Sequence, residues 1–158
     1  MPDLYPLFVW FEDTAIGVAV RESIWAFPVI EAVHLLALCV LGGSLLVVDL
    51  RMLGTGLRGV SVSELRAYAR PWLTGAIALL IITGIPLFLS EAVKCYYNLS
   101  FWVKMVGLVV GLGFTFGVRE KVARGIEFEI PTQARLIAAS SLTIWFVVAA
   151  AGRWIGYS

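Results

Sequence analysis

Four long apolar segments alternate with shorter polar connections along this chain, and each segment is long enough to cross a bilayer. The segments lie near residues 25–49, 72–94, 101–118 and 134–155. A helix crosses the hydrocarbon core of a membrane with about 20 residues, and the third segment is the shortest of the four. The pattern predicts an all-α fold, a polytopic membrane protein built as a bundle of four transmembrane helices.

The first 24 residues are predicted to lie on the outer surface of the membrane. Residues 4–20 carry apolar side chains at helical spacing, which predicts an amphipathic helix in the interface. Such a helix could instead pack on a partner subunit. We expect residues 1–158 to form a single membrane domain. The apolar positions of the helix are Leu4, Leu7, Phe8, Phe11 and Ala15.

Composition supports the membrane assignment. Hydrophobic residues make up 60% of the chain and charged residues only 15%, with a mean hydropathy of +0.91. An ordinary soluble domain is about 45–50% apolar. A net charge of +1 provides no electrostatic footprint for nucleic acid. The expected partners are therefore the lipid bilayer and other membrane proteins.

Basic residues predict the orientation of the spans. Cytoplasmic connections carry an excess of Lys and Arg, and here the excess falls on the two longer connections. Both termini should then face outward, on the periplasmic side. The basic residues of these two connections are Arg51, Arg58, Arg66, Arg70, Arg119, Lys121, Arg124 and Arg135.

The first span contains the candidate site, Glu31-x-x-His34, which includes the only histidine in the chain. Residues three apart share a helix face, and ionisable groups within hydrocarbon usually face a protein interior, a cavity or a ligand. Lys104 enters the third span from the same side, and Arg153 lies near the outer end of the fourth. We expect a Glu31–Lys104 ion pair. That pair could have a purely structural role in helix packing. Alternatively, it could belong to an outer pocket in which Lys104 and Arg153 hold an anionic group.

In that pocket His34 is the candidate metal ligand or proton carrier. Haem b could be ligated by His34 alone or together with Met105, and the imidazole could form a hydrogen bond with a quinone oxygen. Copper is the weaker alternative, since His34, Met105 and Cys39 supply soft ligands of the kind Cu(I) prefers. Di-iron bundles also use Glu-x-x-His, but they need further Glu and His side chains that the other spans lack.

Glycines in the third span predict close helix contact. Small residues four apart let two helix backbones approach, either inside one bundle or between subunits. The sequence leaves both possibilities open, bundle packing and self-association. The glycines are Gly107, Gly111, Gly113 and Gly117.

Several short motifs resemble a family of small bacterial membrane proteins. The run from His34 to Ser44, the sequence from Asp49 to Gly54, Phe101-x-x-Lys104 and the terminal Gly152-Arg-Trp-Ile155 are similar to uncharacterised proteins grouped with CopD-type (copper-resistance D) membrane domains. Thr83-Gly84 fits the same pattern. The resemblance implies a four-helix protein of the bacterial inner membrane and supplies no activity.

Three hypotheses for function follow. The chain could be a membrane subunit of a redox-linked complex that contacts haem or quinone through the outer polar cluster. It could be a non-catalytic structural or assembly subunit, or it could handle copper or another small solute. Four spans with little mass outside the membrane favour a subunit over an enzyme that acts alone. They are few for a transporter, and the chain shows no inverted repeat.

Overall fold

The computed structural model describes residues 4–156, and helices fill most of that range. No β-strand occurs within these residues, which confirms the all-α prediction. A π-helical segment, Thr115–Arg119, joins α6 to α7. The helices are α1 (Tyr5–Glu12), α2 (Ala15–Glu22), α3 (Ala26–Leu53), α4 (Val62–Ser90), α5 (Ala92–Tyr97), α6 (Leu99–Phe114), α7 (Glu120–Arg124) and α8 (Thr132–Ile155).

Four continuous helical stretches are long and apolar enough to cross a membrane, as predicted. They are α3, α4, the run of α6, the π segment and α7 over Leu99–Arg124, and α8. Helix α3 packs most extensively on α4, and α6 on α8. We call the end of the bundle that carries the connections 54–61 and 125–131 the inner end, and the opposite end the outer end.

Helix α4 begins at Val62, ten residues before the start of the second span, which was predicted near 72–94. The sequence Ser61-Val-Ser-Glu64 indicates a helix start, and Ser61 Oγ accepts a hydrogen bond from the Glu64 N–H at 3.2 Å. The helix then continues through Pro71 into the membrane. Proline removes only one backbone donor from the helix, so the flanking turns hold it together.

The outer segment forms two helices, whereas a single interfacial helix over residues 4–20 was expected. The chain breaks after Glu12, and Thr14 Oγ caps α2 by accepting the Gly17 N–H at 3.2 Å. Only glycine fits at position 17, since a Cβ there would lie 2.6 Å from the Leu89 carbonyl oxygen. Glu12 accepts the Val93 N–H at 2.6 Å. The segment therefore packs on the outer ends of α4 and α5.

The core is layered along the bundle. The inner layer surrounds Val48 and Met52, and the outer layer is aromatic around Phe8, whose ring lies 5.7 Å from that of Phe88. Between them is a middle layer of apolar side chains. Its buried members are Leu41, Leu45, Leu73, Ala76, Trp145 and Val148.

Candidate functional site

His34 turns into the bundle and meets α4. Its Nδ1 lies 2.7 Å from Thr83 Oγ1, and its ring packs on the backbone of Gly84, where a Cβ would lie 3.3 Å from His34 Cε1. The ring is half-buried, and Thr83 is buried. The Thr83-Gly84 sequence thus provides both a hydroxyl partner and the space for the imidazole.

The bonds of Thr83 assign the proton on His34. The Thr83 hydroxyl has one proton, and it donates that proton to the Leu79 carbonyl oxygen at 2.7 Å. Toward His34 the hydroxyl can then only accept, so Nδ1 carries a hydrogen. In the neutral ring, Nε2 keeps its lone pair. This nitrogen is the one available to a ligand.

Lys104 lies at the contact between α6 and α8. Its Cδ, Cε and Nζ lie 3.6–3.7 Å from the position of a Cβ on Gly152, so the side chain lies along the α8 backbone. The ammonium group is close enough to act electrostatically on His34 and on Cys95. Among the residues that the structure describes, Lys104 forms no ion pair and no hydrogen bond. It is a half-buried cation without an anionic partner in this part of the chain.

The predicted Glu31–Lys104 ion pair is wrong. Glu31 is exposed on the side of α3, and no ion pair or hydrogen bond joins it to any described residue. Glu31 and His34 are three residues apart, so their side chains point about 60° away from each other around the helix axis. Here that angle places His34 toward the interior and Glu31 on the surface. Of the predicted cluster, His34 packs on α4 and Lys104 on α8, within electrostatic range of each other, and Glu31 lies outside.

Two further predicted site residues are exposed. Arg153 projects from the outer end of α8. Met105 is 42% exposed and lies one residue, or about 100° around the helix, from the inward-facing Lys104. The structure therefore gives no support to a shared His34–Met105 ligand pair.

No metal-ligand set accompanies His34. Within residues 4–156, no three side chains of His, Cys, Asp or Glu come together. Cys39 is exposed on α3. Cys95, in the short outer helix α5, is buried, and burial with the nearby Glu91 carboxylate raises the pKa of its thiol to about 11. That thiol stays protonated, so it is a poor metal ligand near neutral pH.

A buried charge network occupies the inner end, and the sequence pattern did not predict it. Arg119 donates from Nε to Asp49 Oδ1 at 2.6 Å, and both residues are at most 1% exposed. Arg119 also donates to Glu120 Oε1 at 3.2 Å and to the Leu45 carbonyl oxygen at 3.1 Å. Arg66 donates to Glu120 Oε2 at 2.7 Å. The network joins α3, α4 and the third span.

The π segment sets the geometry of this network. A π turn holds one residue more than an α turn, so it changes which side chains face the interior. Here Thr115 and Arg119 both point inward, and Thr115 Oγ1 accepts the indole N–H of Trp145 at 3.0 Å. The predicted span of 101–118 stops one residue before Arg119, because an arginine at the end of an apolar segment indicates a cytoplasmic connection.

Three polar atoms in and beside this network lack hydrogen-bond partners among the described residues. They are Asp49 Oδ2, Arg66 Nη2 and Ser141 Oγ. Ser141 lies beside the Asp49 carboxylate. Two short motifs at the ends of spans, Asp49-x-Arg51 and Arg119-Glu120, could have indicated this network. Acidic and basic side chains at span ends can pair across a bundle.

The glycines of the third span divide into two groups. A Cβ on Gly107 would lie 2.8 Å from Val148 Cγ2, and one on Gly111 would lie 3.3 Å from Ile144 Cγ2. Both therefore belong to the α6–α8 contact inside the bundle, so the predicted self-association cannot use them. Gly113 and Gly117 face open space, and for them self-association stays a prediction.

Comparison with known proteins assigns the chain to a family. No curated protein and no solved structure matches it. One family model, described as a family of unknown function (DUF6644), matches residues 7–158, which include every helix described above except the start of α1. The chain belongs to this family, DUF6644.

Proposed function

We propose that this chain is an integral membrane subunit of a redox-linked complex, and that His34 and Lys104 bind the headgroup of a quinol near the outer end of the bundle. One observation carries the proposal. A half-buried lysine without an anionic partner among the described residues lies within electrostatic range of an imidazole whose Nε2 has no hydrogen bond to those residues. Retaining such a cation in a low-dielectric site is unfavourable unless a ligand compensates it.

The two side chains suit a quinol chemically. Oxidation of a quinol to the quinone releases two protons and two electrons. The Nε2 lone pair of His34 accepts the first proton from a quinol hydroxyl, and the ammonium group of Lys104 stabilises the remaining phenolate oxygen. The two electrons pass to oxidised metal centres of a partner subunit. His34 returns its proton to the outer aqueous phase, where the second proton is also released.

The position of Met105 favours quinol over haem b ligated by His34 together with Met105. Coordination of haem iron by His34 and Met105 requires both side chains to face one interior space, and Met105 is 42% exposed. Quinol binding uses one hydrogen-bond acceptor for a hydroxyl and one cation for the developing phenolate, which His34 Nε2 and Lys104 can supply. Copper handling is less favoured, because no group of three His, Cys, Asp or Glu side chains that could hold a metal ion occurs in the part of the chain that the structure describes.

Binding of a short-chain benzoquinol tests the proposal directly. The purified chain in lipid nanodiscs should bind the quinol in a titration calorimeter. Each of His34→Ala and Lys104→Met should weaken binding about tenfold or more, the effect expected from loss of one charge-assisted hydrogen bond. Lys104→Arg should retain most of the affinity.

Lys94→Met is the matched control. Lys94 is also near the outer end, but it is exposed and lies 3.8 Å from Glu91. Its replacement should leave the dissociation constant unchanged. If His34→Ala and Lys104→Met bind the quinol as tightly as the wild type, or if the wild type does not bind it, the proposal fails. The hypothesis of a non-catalytic structural subunit would then take its place.

A further inference from the structure

Helix α3 carries an outward-facing strip with one carboxylate and one open glycine. Glu31 and Gly42 are eleven residues apart, which places them on one face about three turns apart and within about 20° of each other. Leu35 and Leu46, 51% and 45% exposed, complete the strip. We call Glu31, Leu35, Gly42 and Leu46 the α3 strip.

Two members of the α3 strip, Gly42 and Glu31, lack a partner among the described residues. A Cβ on Gly42 would meet no atom within 4 Å, so the helix backbone is open at this point. Glu31 forms no ion pair and no hydrogen bond with the residues described, and it lies about 9 Å along the helix axis from Trp25. Acidic side chains within spans are usually paired, and small residues mark points of close helix approach.

From this surface we infer that the α3 strip binds a transmembrane helix of a partner subunit, which crosses α3 closely at Gly42 and places a Lys or Arg against Glu31. Charge complementarity selects this occupant. Residues 26–50 of α3 contain no Lys and no Arg. A two-fold contact between two copies of the strip would therefore set Glu31 against Glu31, which is repulsive. The inference is independent of quinone binding at His34.

Two synthetic transmembrane peptides of Leu and Ala provide the probe. One carries a single Lys in its outer third, and the other has Leu at that position. Energy transfer in vesicles reports binding, with the donor on Arg124→Cys in a Cys39→Ser background and the acceptor on the inner end of the peptide. The Lys peptide should bind about 3–30-fold more tightly than the Leu peptide, the range expected for one polar contact between membrane helices.

Matched variants decide the outcome. Glu31→Gln should remove the difference between the two peptides, and Gly42→Leu should weaken binding of both. Gly113→Leu is the control, because Gly113 is equally open but lies on α6. Equal binding of both peptides to the wild type, or no binding, overturns the inference. A wild-type dimer that Gly42→Leu dissociates, detected by sedimentation, also overturns it, because the occupant is then a second copy.

Discussion

Lys104 places a charged group in the bundle, where it lowers the stability of the fold and can bind an anionic ligand. Its stem packs on Gly152, whereas its ammonium group has no ion pair among the described residues. A buried charge left without a counter-ion destabilises a fold, and sites that bind charged ligands often retain such residues against stability. The stability of the ligand-free chain therefore reports on the role of Lys104.

Because the Glu31–Lys104 pair does not form, replacements at the two positions should act independently. Lys104→Met should leave the ligand-free chain equally stable or more stable, and Glu31→Gln should change that effect by less than about 0.5 kcal/mol. Steric trapping or denaturant unfolding in bicelles would measure the double-mutant cycle. A coupling energy well above that limit would mean that the two side chains interact after all.

At the scale of helices, the Asp49–Arg119 pair connects α3 to the third span. Asp49→Leu or Arg119→Met alone leaves one buried charge uncompensated, so each should lower the free energy of unfolding by about 3–5 kcal/mol. The double variant Asp49→Leu/Arg119→Met should lose less than the sum, because Arg66 still pairs with Glu120. Additive losses in the same unfolding assay would show that the pair is not coupled.

The π segment can be tested by changing its length. Deletion of Val118 should convert Thr115–Arg119 to α-helix, which places Arg119 three residues after Thr115 instead of four and redirects its guanidinium group. We expect a loss of stability comparable to that of Arg119→Met, measured as the unfolding midpoint. Deletion of Glu129 in the exposed connection serves as the control and should have little effect. Equal midpoints for the Val118 deletion and the wild type would contradict the role given to this segment.

At the scale of the whole molecule, the two polar clusters are separated. His34 and Asp49 lie on the same helix, fifteen residues or about 22 Å apart. The apolar middle layer lies between them, with leucine, alanine, valine and tryptophan side chains. In the proposed function, proton exchange at His34 therefore takes place at the outer end, and the inner network joins the helices.

Orientation in the membrane stays a prediction from the distribution of basic residues. Single cysteines at Val60→Cys and Gly125→Cys, in a background without Cys39 and Cys95, should react with an impermeant thiol reagent only when the cytoplasmic side is accessible. Ser100→Cys, near the start of α6 at the outer end, is the control and should react from outside intact cells. Labelling of positions 60 and 125 from outside intact cells would reverse the topology.

The number of spans could be predicted from the sequence, because length and hydropathy decide which segments cross a bilayer. The capped start of α4 could also be predicted from Ser61 and Glu64. The boundaries could not. A helix continues through Pro71, and the third span continues past Arg119, because tertiary packing and a buried partner outweigh the local preference for a connection.

The site was predictable only in part. Helical spacing places Glu31 and His34 on similar faces of α3, but it does not show which of the two side chains contacts α4. In the structure only His34 forms such a contact among the described residues. The neighbours Thr83 and Lys104 depend on how α4 and α6 are rotated in the bundle. The Asp49–Arg119 pair depends on the extra residue of the π segment, which apolar patterning does not reveal.

The most direct test of the quinone proposal is nitrogen NMR of His34, which is the only histidine in the chain. With ¹⁵N-labelled imidazole in nanodiscs, the ligand-free chain should show a protonated Nδ1 and an unprotonated Nε2. Saturating benzoquinol should shift the Nε2 resonance in the wild type and in the Lys94→Met control, and much less in Lys104→Met. An Nε2 resonance that does not move in the wild type would contradict quinol binding at His34.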